Sequence, residues 1–125
     1  MRTPNGICVK KILLIEPDAD IRDIIRYILE DNGLTVLTAH TVQELEAIPT
    51  PSPDLILIDE WLSQEPGHRF CLRVKQNERM CHIPVIILST AIEIEQLVEE
   101  CRADGFIRKP FELEELLEKV QLYLA

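Results

Sequence analysis

The chain has 125 residues, 46% of them apolar and 28% charged. That is the balance of a soluble globular domain, and the length suits one core and no second unit. Thirteen basic residues against 22 acidic ones give a formal charge of −9, which argues against nucleic acid or an anionic membrane as the direct partner. No apolar run approaches the roughly 18 residues of a membrane span. The opening MRTPNGICVKK has no long apolar stretch, so no secretory signal is expected. The expectation is a cytoplasmic, acidic, single-domain protein, with residues 1–8 a flexible N-terminal arm and residues 9–125 the domain.

In chain order, Ile12-Leu13-Leu14-Ile15 is a short continuous apolar run closed by Glu16-Pro17-Asp18. Such a run fits a strand buried on both faces. Ile21, Ile24, Ile25, Ile28 and Leu29 then recur at helical spacing, with Gly33 as the stop signal. Thr35 to Ala39 reads as a second strand. Thr41-Val42-Gln43-Glu44 is a capping box for a short helix reaching Ile48, and the prolines at 49, 51 and 53 impose a stiff loop. Leu55 to Ile58 is a third strand ending on Asp59, and Glu60 to Gly67 is read as a loop. Phe70, Cys71 and Val74 mark a helical face ending near Asn77. Val85 to Leu88 is a fourth strand ending on Ser89-Thr90. A helix follows over about Ile92 to Arg102. Phe106-Ile107 is a short fifth strand ending at Lys109-Pro110, and Leu113, Leu116, Leu117 and Val120 define a last helix.

Strand and helix thus alternate five times. This predicts an α/β fold: a doubly wound, five-stranded parallel sheet with helices on both faces. Ligand sites in such sheets lie beyond the carboxyl ends of the strands. The residues there are Glu16 and Asp18, then Asp59, then Ser89-Thr90, then Lys109. Carboxylates brought together repel unless a cation joins them, and Mg²⁺ is the natural one. A metal and the Lys109 ammonium could neutralise a phosphoryl group carried on Asp59. Taken singly, each of these residues has an ordinary reading. Asp18 or Ser89 could cap a helix, and Lys109-Pro110 could be a turn. It is the ordered set of acid, acid, hydroxyl and lysine at four strand ends that points to a site. The four cysteines, Cys8, Cys71, Cys81 and Cys101, lack metal-ligand spacing, so reduced and mostly buried thiols are expected.

The segments ILLIEPDADIR, PDLILIDEW, IPVIILSTA and ADGFIRKPF carry a family likeness. From Lys11 to Leu124 the chain resembles the receiver domain of bacterial two-component response regulators, with its (βα)5 flavodoxin-like architecture. The resemblance implies a signalling module, not a turnover enzyme. Asp59 would be the phosphoacceptor, served by a histidine kinase, a phosphotransfer protein or a small phosphodonor. Mg²⁺ would be held by Glu16, Asp59 and the backbone carbonyl of Trp61. Ser89 and Lys109 would bind the phosphoryl group, and Phe106 would be the aromatic that swings inward with Ser89. A downstream protein would read the face built by the fourth helix, fifth strand and fifth helix. The last-helix face leaves a homodimer open.

The chain departs from that pattern at Pro17, which stands where the family has a second acid. One anionic ligand fewer predicts weak Mg²⁺ binding. Asp18 is a candidate auxiliary acid, with helix capping as its competing role. Ser63 replaces a common proline, Thr90 is larger than the usual small residue, and the Ser89–Lys109 segment is about two residues short near the fourth helix. The alternative reading is therefore a degenerate receiver, a phosphorylation-independent interaction module. A phosphatase using an aspartate nucleophile is disfavoured because Glu16 occupies the nucleophile position. An FMN carrier is disfavoured because EPDAD would repel a phosphate.

Overall fold

The apolar runs become strands because their β-branched and leucine side chains can be buried on both faces at once. In a computed structural model, residues 9–39, 52–62, 65–90 and 92–125 are described. The five strands are β1 (Lys11–Ile15), β2 (Thr35–Ala39), β3 (Leu55–Asp59), β4 (Val85–Ser89) and β5 (Gly105–Arg108). They form one parallel sheet in the order β2-β1-β3-β4-β5. The helices among the described residues are α1 (Ala19–Asp31), α2 (Gly67–Gln76), α3 (Ile94–Cys101) and α4 (Leu113–Leu124). The expected helix over 41–48 and the expected arm over 1–8 fall outside the described residues.

Alternate strand residues feed two apolar layers. Ile12, Leu14, Leu55, Leu57, Ile86 and Leu88 pack with Ile25 and Leu29 of α1 and Leu116 and Val120 of α4. Leu13, Ile15, Ile56, Ile58 and Ile87 pack with Phe70, Cys71 and Val74 of α2 and Ile94 and Cys101 of α3. Both faces of the sheet are thus covered, as the continuous apolar runs require. A fully buried residue of this kind contributes on the order of 1.5–3 kcal/mol.

Local signals fix the element ends. The Asp18 carboxylate accepts from the backbone N–H groups of Asp20 and Ile21 at 2.9 and 3.1 Å, capping α1. Gly33 takes a positive φ of 84°, the left-handed conformation that turns the chain from α1 into β2. Two expected boundaries are corrected. Gly67 opens α2 and does not end a loop. The helix expected over Ile92–Arg102 is α3, Ile94–Cys101, because Glu93 makes no side-chain cap and Arg102 already turns left-handed with φ 63°. Ser89 is the last residue of β4, five residues before α3, so it is not an N-cap.

Register decides where the site forms. Ile15 pairs with both Ala39 and Ile58, Asp59 pairs with Leu88, and Ser89 pairs with Arg108. Glu16, Asp59, Ser89 and Lys109 therefore emerge at one end of the sheet. β1 connects onward to β2 on one side of it, while β3 lies on the other. This reversal leaves a crevice at the carboxyl ends of β1 and β3.

Candidate functional site

Lys109 is the centre of the crevice. Its Nζ lies 2.7 Å from Glu16 Oε1 and 2.5 Å from Asp59 Oδ1. Both acids are almost fully buried, at 1% and 2% exposure. Two carboxylates at this depth would repel each other strongly, and the shared ammonium makes their burial tolerable. The backbone N–H of Lys109 donates to the Ser89 carbonyl at 2.9 Å, fixing the end of β5 against the end of β4. A cis peptide joins Lys109 to Pro110.

Burial pushes the Glu16 carboxyl above its usual range. The hydrogen bond from Lys109 opposes this, and the nearby Asp59 charge adds to it. For Lys109, burial is the largest single influence and acts to lower its pKa. The hydrogen bonds and charges of Asp59 and Glu16 together outweigh it, and the ammonium is held above its ordinary value.

The Asp59 carboxylate is steered by its own loop. Asp59 Oδ2 accepts the Trp61 N–H at 2.8 Å. Oδ1 is held by the Lys109 ammonium at 2.5 Å. Beyond it, Glu60 is also buried, and its backbone N–H donates to the Leu88 carbonyl at 2.8 Å. The Glu60 carboxylate accepts the His68 backbone N–H at 2.9 Å and lies 2.6 Å from His68 Nδ1. The Glu60 carbonyl accepts the Gly67 N–H at 2.9 Å. Pro66 offers α2 no side-chain cap, so Glu60 supplies one from eight residues away. Sequence reasoning missed this role, because no short-range pattern links Glu60 to the start of α2.

The other expected site residues are placed as follows. Ser89 is fully buried at the end of β4. Trp61 is exposed, and its indole N–H reaches Thr90 Oγ1 at 3.4 Å. Phe106 lies on β5 with its ring 5.3 Å from Lys119 Nζ and 5.9 Å from the Arg108 guanidinium carbon. The Phe106 carbonyl also accepts from Lys119 at 3.1 Å. Asp18 is exposed and its carboxylate is engaged in capping α1; its N–H points back to Glu16 Oε2 at 3.4 Å. Pro17 is exposed and supplies no ligand. Ser63 lies outside the described residues.

The donor set suits a hard cation in modest fashion. Glu16, Asp59 and the Trp61 carbonyl are oxygen donors, and Mg²⁺ is commonly bound by one or two carboxylates with water completing its shell. Among the described residues no cluster of three or more His, Cys, Asp or Glu side chains is arranged to hold a metal. Asp59 Oδ1 already has the Lys109 ammonium as one positive partner, and a cation would be its second.

A doubly wound parallel sheet in the order β2-β1-β3-β4-β5 defines the flavodoxin-like class of α/β domains, and here an acid–lysine–acid cluster lies at its switch point. Within that class the family model for the response regulator receiver domain matches residues 12–121, and the chain belongs to that family. It is 33% identical over 115 residues to the phosphate regulon transcriptional regulatory protein PhoB of Escherichia coli K12, covering 90% of this chain and 50% of that protein. The chain spans about half the length of the curated relatives it matches. A putative response regulator from Chloroflexus aurantiacus superposes with a TM-score of 0.88 at 26% identity, covering 94% of this chain and 99% of that one. The chemotaxis response regulator CheY4 of Vibrio cholerae gives 0.84 at 27% identity, covering 93% and 99%. The fold and two-component signalling family expected from the sequence are thereby established. Among the described residues, no helix is long and apolar enough to cross a membrane.

Proposed function

We propose that the domain is a phosphoacceptor of a two-component or phosphorelay system, modified on Asp59. The observation that carries this reading is the position of Lys109, whose ammonium bridges Glu16 and Asp59 at the switch point. A carboxylate oxygen of Asp59 forms a bond to phosphorus as the bond from phosphorus to the donor's leaving group breaks. That leaving group is an imidazole nitrogen for a histidine kinase or phosphotransfer protein, and acetate for acetyl phosphate. Asp59 thereby becomes a mixed anhydride. Lys109 keeps a fixed positive charge where the phosphoryl oxygens gather. Ser89 supplies the hydroxyl that follows the phosphoryl group, and Phe106 the ring that responds on the outer face. Mg²⁺, when bound by Asp59, Glu16 and the Trp61 carbonyl, supplies further neutralisation of phosphoryl charge.

The apolar groove beside the site supports a protein donor. It has a volume of about 550 Å³ and is lined by Ile21, Ile24, Phe111 and Leu113 together with Thr90 and Lys109. A donor helix seated there would present its phosphohistidine to Asp59. The downstream partner would read the face that carries Phe106. This reading places the domain in the cytoplasm, as a signalling module without nucleic acid as a direct partner.

Pro17 favours a second reading, an interaction module independent of phosphorylation, because it removes a metal-binding acid. Mass measurement after incubation with acetyl phosphate and Mg²⁺ separates the two. The first reading expects a labile gain of one phosphoryl group, absent in Asp59→Asn. An unmodified wild-type chain would leave the second.

A further inference from the structure

Glu60 stands in the chain between two residues of the crevice, and the peptide that joins it to Trp61 is bonded at both edges. The Glu60 carbonyl accepts the Gly67 N–H at 2.9 Å, and the Trp61 N–H donates to Asp59 Oδ2 at 2.8 Å. A peptide unit is rigid and planar, so the seat of Gly67 in α2 sets the direction from which the Asp59 carboxylate is held. Glu60 grips the same turn with its side chain. Its Oε1 accepts the His68 backbone N–H at 2.9 Å, and its Oε2 lies 2.6 Å from His68 Nδ1. We propose that Glu60 and His68 are a positioning pair, whose contact fixes the Glu60–Trp61 peptide and through it the orientation of the Asp59 carboxylate. Its bearing on phosphoryl transfer rests on the phosphoacceptor reading of Asp59.

The pair supplies direction more than burial. Glu60 is buried, and an ionised carboxylate is costly there unless its oxygens are bonded. An apolar side chain would fill the same position without that cost. What the carboxylate adds is a two-point grip on one residue, which fixes both the distance and the rotation of the first turn of α2. An ionised carboxylate only accepts, so Nδ1 is the ring nitrogen that carries the hydrogen of this contact. The turn has no local substitute for the grip, because Pro66 makes no side-chain cap and Gly67 has no side chain. The backbone of Glu60 is held from the other side as well. Its N–H donates to the Leu88 carbonyl at 2.8 Å, on the strand that ends at Ser89.

Loss of the imidazole leaves the Glu60 carboxylate with the His68 N–H alone. The first turn of α2 then loses its rotational anchor, the Glu60–Trp61 peptide tilts, and the Trp61 N–H falls out of line with Asp59 Oδ2. Lys109 still holds Oδ1. The carboxylate therefore stays in the crevice, but its plane is no longer set. A nucleophile turned away from the line of attack reacts more slowly, because the rate depends on near-attack geometry. Glu60 and His68 act through Asp59 and are not themselves reacting groups.

The test compares the full wild-type chain with His68→Ala and His68→Asn. Alanine removes the imidazole and keeps the backbone N–H of residue 68, whereas asparagine returns an amide N–H near the position of Nδ1. By nuclear magnetic resonance, the Trp61 amide is expected to exchange its hydrogen about tenfold faster in His68→Ala and near the wild-type rate in His68→Asn. Phosphoryl uptake from acetyl phosphate and Mg²⁺, measured on folded chain, is expected to fall about tenfold in His68→Ala and to recover in His68→Asn. A lowered unfolding temperature with the Trp61 exchange rate unchanged would overturn the proposal and leave the pair a helix cap only. So would equal losses in the two variants, or unchanged uptake in His68→Ala where wild type is modified. Should His68→Ala fail to fold, Glu60→Leu fills the buried position, breaks both bonds and carries the same two readouts. A wild-type chain that takes up no phosphoryl group, with the expected Trp61 exchange pattern, would sink the phosphoacceptor reading and uphold the positioning of Asp59.

Discussion

The α-carbon of Gly67 rests against the backbone carbonyl of Asp59 so closely that a side-chain carbon at residue 67 would overlap that oxygen. The first turn of α2 is thereby seated on the strand end that carries Asp59. The carbonyl belongs to a central strand and cannot withdraw cheaply. Gly67→Ala sets an overpacking cost of about 1–3 kcal/mol against a helix-propensity gain of at most about 1 kcal/mol. The steric effect wins, and denaturant unfolding is expected to show a net loss of about 1–2 kcal/mol.

Lys109→Met leaves Glu16 and Asp59 buried without their shared cation. Removing one partner of a buried ion pair costs about 3–5 kcal/mol, and a loss near the lower end is expected because Glu16 can take up a proton. The pH dependence follows from direction. The folded-state pKa of Lys109 is raised above 10.5, so its stabilising contribution is complete below 10.5 and is lost as pH rises through the folded value. The Glu16 pKa is raised above 4.5, so its ionisation weakens the fold as pH climbs from 4.5 through the folded value. Thermal unfolding against pH is expected to show an alkaline fall in the wild type that is missing in Lys109→Met. An identical alkaline limb in both proteins would contradict the assignment.

Pro17→Asp restores an acid beside Glu16 at an exposed position. Mg²⁺ affinity, followed through Trp61 fluorescence, is expected to rise about tenfold, because affinity tracks ligand charge. Unchanged affinity would mean that residue 17 does not face the metal.

Asp18→Asn and Asp18→Ala separate capping from metal binding. Asparagine keeps an oxygen for the Asp20 and Ile21 N–H groups and is expected to cost little, whereas alanine loses about 1 kcal/mol. Phosphoryl uptake is expected to survive both changes. A marked fall in Asp18→Asn alone would assign Asp18 a part in the metal site.

Lys119→Met removes one of the two cations flanking the Phe106 ring, a contact worth about 0.5–1 kcal/mol at an exposed site. If the ring swings inward on phosphorylation, the variant is expected to favour the inward position a few-fold more than wild type. Fluorine resonances of a fluorinated phenylalanine at residue 106 would report it.

The strands, their parallel arrangement and the residues at their ends were legible in the sequence, while the strand order came from the structure. Continuous apolar runs such as Ile12–Ile15 and Val85–Leu88 can be satisfied only by burial on both faces. The sequence also marked the Gly33 turn and offered Asp18 as a helix cap beside its possible metal role, because a cap or a positive φ is a local requirement met by local residue types; the structure chose the cap. Packing in three dimensions was needed to show that Lys109, 93 residues from Glu16, bridges it to Asp59, that Glu60 caps α2, and that Gly67 lies against the Asp59 carbonyl. Each of these depends on strand register and helix packing. A one-residue slip in a strand would leave the local pattern legible and take its side chains to the opposite face.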